Sequence, residues 1–153
     1  MKIFIDGDAF PNLLKPIVLR ASERLKLPLI LVSNKKVNMG ASNRLTSHIV
    51  EAGADKADDF IVEMVESGDL VITADIPLAD RVITKGAHAI DHRGERYTAD
   101  NIKQYLTMRN MMDELRESGV VTGGPKPFTQ KDAHAFANAL NTFLNRHYHS
   151  DSV

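Results

Sequence analysis

Two short apolar runs that each stop at an aspartate constrain this chain more than any other feature. Ile3-Phe4-Ile5 ends at Asp6-Gly7-Asp8, and Leu70-Val71-Ile72-Thr73-Ala74 ends at Asp75. An uninterrupted apolar run of this length predicts a strand buried on both faces, as in a parallel sheet covered by helices. Carboxylates at the end of such a strand are costly unless something offsets their charge. In open α/β sheets, the C-terminal strand ends are also where ligands bind.

The segments between and around these runs alternate in period. Leu14, Ile17, Val18, Ala21 and Leu25 have helical spacing, with Pro16 tolerable in the first turn. Leu29 to Val32 reads as a second strand, followed by a polar, basic loop from Ser33 to Gly40. Residues 42–51 read two ways: Ile49 and Val50 favour a short strand, while Ser42 to Leu45 fits a helical turn. A helix is expected from Asp58-Asp59 to a stop at Gly68, and another from Pro77 to Gly86. Ala87 to Ile90 is a short strand running into a polar turn over 91–96. Thr98 to Asn101 begins a long helix that continues through Glu117. Gly119 to Phe128 is rich in glycine and proline and reads as a connector. Thr129 and Asp132 form a capping-box pattern ahead of a helix presenting Phe136, Leu140, Phe143 and Leu144. Strands alternating with helices imply right-handed crossovers and a mainly parallel sheet. The expectation is one domain over 1–148, with a frayed tail over 149–153.

Composition removes several function classes. The 153 residues suit one domain with a sizeable core, and the absence of cysteine excludes disulfides and thiolate metal sites. A net charge of −1 excludes a globally basic nucleic-acid coat, though not a local basic rim. No apolar run approaches the roughly 20 residues of a membrane span. The N-terminus lacks the basic-then-apolar layout of a secretion signal, so a cytoplasmic protein is the simplest reading.

If the two apolar strands are neighbours, Asp6 and Asp75 share one sheet edge, and helix starts such as Asp58-Asp59 lie there too. Any one of these aspartates is more often a cap or a strand stop. Four or more in one crevice would repel one another, and a divalent cation such as Mg²⁺ or Mn²⁺ resolves that repulsion. Such an ion serves phosphodiester hydrolysis. Ile3-Phe4-Ile5-Asp6-Gly7-Asp8, Ala57-Asp58-Asp59-Phe60-Ile61 and Val71-Ile72-Thr73-Ala74-Asp75-Ile76-Pro77-Leu78-Ala79 resemble the acidic motifs of PIN-like nuclease domains. With Met108-Arg109, Leu115-Arg116-Glu117-Ser118-Gly119 and Gly123-Gly124-Pro125-Lys126-Pro127-Phe128, the whole chain resembles the bacterial YaiI/YqxD family, a group without a settled activity. The resemblance implies a PIN-like three-layer α/β sandwich with a mainly parallel central sheet and extra C-terminal helices. It implies Asp6, Asp75 and Asp58 or Asp59 as metal ligands, with Asp80 as a fourth. Asp8 stands where many PIN-like domains carry a polar non-acid, and shapes the turn in this reading.

Cations for a phosphate backbone are sought near the same edge. Lys35 and Lys36 lie in the loop after the second strand; as solvated loop lysines they need no ligand. Ile102, Arg109 and Arg116 are seven apart, which puts both arginines on or beside the apolar stripe of a helix. An arginine there needs a carboxylate, with Glu117 or a site aspartate as its expected partner, or a ligand phosphate. Lys126 sits in a loop that lacks the Gly-Lys-Ser/Thr ending of a phosphate loop, so connector is the better reading there. His147 and His149 form no helical i, i+4 pair. The reading is a divalent-metal-dependent phosphodiesterase acting on RNA, with Asp6, Asp58 and Asp75 at its centre. The alternatives are a non-catalytic RNA- or protein-binding module and a small-molecule phosphohydrolase, the latter because Asp6-Gly7-Asp8 superficially resembles an Asp-x-Asp phosphatase motif.

Overall fold

The computed structural model describes residues 1–53, 55–119 and 127–148. Its strands are β1 (Ile3–Asp6), β2 (Leu29–Ser33), β3 (Leu45–Ile49), β4 (Leu70–Ile72), β5 (His88–Ile90) and β6 (Arg96–Tyr97). Its α-helices are α1 (Lys15–Leu25), α2 (Lys56–Met64), α3 (Ile76–Thr84), α4 (Ile102–Glu117) and α5 (Gln130–His147). One six-stranded sheet runs in the order β3-β2-β1-β4-β5-β6, parallel throughout except for the antiparallel β5–β6 pair. The strand order reverses between β1 and β4, which therefore flank the switch point of the sheet.

The apolar runs are continuous because both faces of the sheet are covered. Ile3 and Ile5 join Leu70 and Ile72 in a cluster with Leu14, Val18 and Ala21 of the α1 region and Phe136, Leu140, Phe143 and Leu144 of α5. Phe4 and Val71 face the other way, onto Ala57 and Ile61 of α2, Leu78, Ala79 and Val82 of α3, and Ile102 of α4. The result is a three-layer α/β sandwich. The C-terminal helices differ in what they add: α5 completes one covering layer, whereas α4 contributes Ile102 as its one fully buried residue among those described. The capping box of α5 is present in both directions, with the Thr129 hydroxyl accepting from the Asp132 amide and Asp132 accepting from Thr129.

Several expectations change at their edges. Residues 45–49 form an edge strand rather than a helical turn. Its half-exposed pattern, with Ile49 60% exposed, is what blurred the signal. The helix α2 starts at Lys56 and stops at Met64, short of Gly68. The turn over 91–95 is built on Asp91, which accepts from the amides of Arg93 and Glu95, and it leads into β6. That two-residue strand is too short to carry a period. Residues 98–101 precede α4 instead of belonging to it: the Thr98 amide donates to Asn101 Oδ1 and the Asn101 amide to Thr98 Oγ1. The Gly/Pro loop with Lys126, and the tail with His149, lie outside the described residues. Among the described residues no helix is long and apolar enough to cross a membrane.

Candidate functional site

Parallel pairing of β1 with β4 sets Ile3 beside Leu70 and Ile5 beside Ile72. Continued by one residue, that register puts Thr73, not Asp75, beside Asp6. The Thr73 hydroxyl donates to Asp6 Oδ2 at 2.9 Å and accepts from the Asp75 amide at 3.0 Å. Asp75 lies two residues beyond the strand, as the N-cap of α3. Its Oδ1 accepts from the Leu78 amide at 3.0 Å. The acid expected at the strand end is thus a helix cap, and threonine is the residue that joins it to Asp6.

On the other side of Asp6 the chain turns against β2. The Gly7 amide donates to the Val32 carbonyl at 2.8 Å. A Cβ on Gly7 would stand 2.5 Å from Leu31 Cδ1 and 3.2 Å from that same carbonyl oxygen, so any side chain here would push Leu31 aside and crowd the turn. Asp8 Oδ1 then accepts from the Asn34 amide at 2.8 Å, tying the end of β1 to the loop after β2. This agrees with a turn-shaping role for Asp8.

The helix-start pair divides. Asp58, in the first turn of α2, reaches the Asp75 carboxylate within hydrogen-bond range, and the charges of Asp75, Asp6 and Asp55 all act on it. Burial is the larger effect, and together they push its carboxyl up to about 7. Asp6 is raised too, first by burial and then by the charges of Asp75 and Asp8, while the Thr73 hydrogen bond works in the opposite direction. Asp59 points elsewhere, pairing with Arg81 of α3 at 2.9 Å. Asp80 is not among the groups that raise Asp6 or Asp58, and its carbonyl accepts from the Thr84 hydroxyl. Of the five acids expected at the centre, Asp6, Asp58 and Asp75 come together there; Asp59 and Asp80 do not.

These three carboxylates come from three different elements near the switch point, close enough for the charges of Asp6 and Asp75 to act on Asp58. Hard oxygen donors are the set that Mg²⁺ and Mn²⁺ prefer, so the donor chemistry fits such an ion. Among the described residues, no group of three or more His, Asp or Glu side chains is already arranged to hold a metal ion.

The basic residues take two positions. Lys35 and Lys36 are exposed in the loop after β2, on the same edge as Asp6 and Asp8. Arg109 and Arg116 project from the exposed part of α4, and both pair with Asp113, at 3.6 and 3.2 Å. That corrects both expected partners, Glu117 and a site aspartate. It also removes the expected cost, because neither guanidinium is buried. Sequence reasoning missed Thr73, whose signal was present as a hydroxyl two residues before Asp75, and Asp55, which carries no local signal.

The family model described as "Uncharacterized BCR, YaiI/YqxD family" matches residues 4–146. A UPF0178 protein of Sulfurimonas denitrificans is 67% identical over 144 residues, 94% of this chain and 95% of the relative. One from Nitratiruptor is 64% identical over 146 residues, 95% of this chain and 96% of the relative. A third, from Photobacterium profundum, is 51% identical over 148 residues, 97% of this chain and 99% of the relative. No solved structure matches the chain. The family match spans all three acids of the crevice and the arginines of α4, and by it the chain belongs to the YaiI/YqxD family.

Proposed function

We propose that the protein is a divalent-metal-dependent phosphodiesterase of PIN-like type, acting on RNA. The observation that carries this reading is Asp58. Its carboxyl is lifted to about 7, first by burial and then by the negative charges of Asp75, Asp6 and Asp55, which gather on it from three directions of the chain. A cation that joined such a set would offset the repulsion that the proton now relieves. Asp6, Asp58 and Asp75 would hold Mg²⁺ or Mn²⁺. A bound divalent ion supplies a Lewis acid that makes a nucleophilic water available near neutral pH and offsets charge on the phosphoryl group.

The chain's own groups do the rest. Thr73 fixes the Asp6 carboxylate through its hydroxyl and the start of α3 through its acceptance from the Asp75 amide. The N-terminus of α3 adds partial positive charge at the crevice. Lys35 and Lys36 stand at the rim, free of burial, where they can meet phosphates of a bound strand. Purified wild type is expected to cut single-stranded or structured RNA with Mn²⁺, and an Asp6→Asn, Asp75→Asn double variant to lose at least about a hundredfold in rate. Equal cleavage by both proteins overturns the proposal.

A second reading rests on Lys35 and Lys36, exposed in the loop after β2, which suit a phosphate backbone whether or not a metal is held. In it the same fold binds RNA or a partner protein without cutting. Calorimetric titration separates the two: no heat of binding at millimolar Mn²⁺ favours the binding module.

A further inference from the structure

The β6 edge of the sheet gathers cations where the switch point gathers acids. Antiparallel pairing sets Arg96 of β6 beside Ile90 of β5, and both side chains lie on the α5 face of the sheet. The Arg96 guanidinium stands over the Phe143 ring at 5.3 Å, and one of its terminal nitrogens meets His88 Nδ1 at 3.3 Å. Phe143 stacks on His147 with centroids 4.5 Å apart, and His147 stands 4.8 Å from His88. Burial first, then the charges of His147 and Arg96, holds His88 below the ordinary imidazole range. The charges of Arg96 and Arg146 both act on His147. Among the described residues neither arginine forms an ion pair with a carboxylate, and the buried Arg96 Nε meets no hydrogen-bond acceptor.

The two arginines border a pocket of about 300 Å³ between β6 and α5, lined also by Ile90, Asn138, Thr142 and Phe143. That volume is at the lower end of small-ligand pockets. Asn138, Thr142 and Arg146 follow one another at helical spacing and so share one stripe of α5. Ile90 and Phe143 are its buried apolar part. The turn before β6 rests directly on the helix beside it. A Cβ on Gly94 would stand 2.8 Å from the Ala135 carbonyl oxygen and 3.2 Å from Ala139 Cβ. Two guanidinium groups without a carboxylate suit a doubly charged oxyanion, because each can donate two parallel hydrogen bonds. The Thr142 hydroxyl and the Asn138 amide add neutral donors. The pocket exceeds the size of phosphate alone and leaves room for a small organic group against Phe143. We infer that this pocket binds a phosphoryl anion, free phosphate or a small phosphomonoester, through Arg96, Arg146, Asn138 and Thr142. It lies on the α5 face of the sheet, whereas α2 and α3, which carry Asp58 and begin at Asp75, cover the other. Its occupant is therefore held independently of any metal at the acids.

The test is calorimetric titration of the full-length protein, freed of divalent ions, with inorganic phosphate, glycerol phosphate and acetate at constant ionic strength. Wild type is expected to bind phosphate at a single site and acetate at least about tenfold more weakly. Tighter binding of glycerol phosphate names a phosphomonoester as the occupant; equal or weaker binding names free phosphate. Arg96→Gln and Arg146→Gln should each weaken phosphate binding about tenfold, the loss of one charge-assisted contact. Arg146 is exposed, so its replacement leaves the core alone and carries the test if Arg96→Gln lowers the melting temperature. Lys131→Gln removes a charge from the same helix outside the pocket and should bind as wild type does. Absence of saturable phosphate binding overturns the site. So does wild-type affinity in Arg146→Gln, or an equal loss in Lys131→Gln, which would reveal a diffuse field around α5 in place of a built pocket. Tighter binding of acetate than of phosphate overturns the phosphoryl assignment.

Discussion

The two ends of the β1–β4 pair treat buried carboxylates in opposite ways. At the N-terminal end, Asp69 is 4% exposed and fully provided for. It accepts from the Lys2 amide at 2.9 Å and from the Glu66 amide at 2.9 Å, and the Lys2 ammonium stands 3.5 Å away. At the C-terminal end, aspartates act on one another: Asp75 and Asp8 on Asp6, and Asp75, Asp6 and Asp55 on Asp58. The same two strands thus carry a solved electrostatic problem at one edge and an open one at the other. The fold has the means to neutralise a buried aspartate. Raising the proton affinity of Asp6 and Asp58 at the switch point is a property of that edge and not of the architecture.

The contrast can be broken by opposite substitutions. Asp69→Ala removes the acceptor for two amides and a lysine, and should cost about 2–3 kcal/mol in urea denaturation. Asp58→Asn should do the reverse at pH 8 with chelator present, raising stability by about 1 kcal/mol once solvent screening is allowed for. A shared sign for the two would show that the C-terminal acids are as well provided for as Asp69.

The pH dependence sharpens the same point. Asp58 holds its proton more tightly in the folded protein than in the unfolded chain. Its contribution to stability is therefore fully present below about pH 4 and is lost as pH rises through about 7. A cation must displace that proton to bind. Mn²⁺ affinity should rise about tenfold between about pH 6 and pH 8, with proton release, in calorimetry across buffers of different ionisation enthalpy. Affinity flat across this range would remove Asp58 from the centre.

The smallest expected effect belongs to Thr73→Val. It keeps the shape, removes a hydroxyl that favours ionised Asp6, and should cost about 1 kcal/mol. The pH at which Mn²⁺ binds should move upward, and Thr73→Ser should restore it. An unmoved binding midpoint would mean that the hydroxyl serves the backbone alone.

The pairing of the two strands was legible because Ile3-Phe4-Ile5 and Leu70-Val71-Ile72 are apolar on both faces and end in acids. The capping box at Thr129 and Asp132 was legible for a related reason, since its partners are three residues apart. What was not legible depends on distances in space. The register that puts Thr73 beside Asp6, the choice between Asp58 and Asp59, and the pairing of Arg109 and Arg116 with Asp113 all turn on side-chain direction. The strand β6 was missed because two residues carry no period, and its reason to exist is β5, several residues upstream.

One carboxylate oxygen of Asp75 is already engaged, capping α3 through the Leu78 amide. Genetics at this position therefore divides cleanly. Alanine would remove both the charge and the helix start, confounding loss of activity with loss of fold. Asparagine caps about as well as aspartate, so Asp75→Asn deletes the charge alone and is a separation-of-function allele.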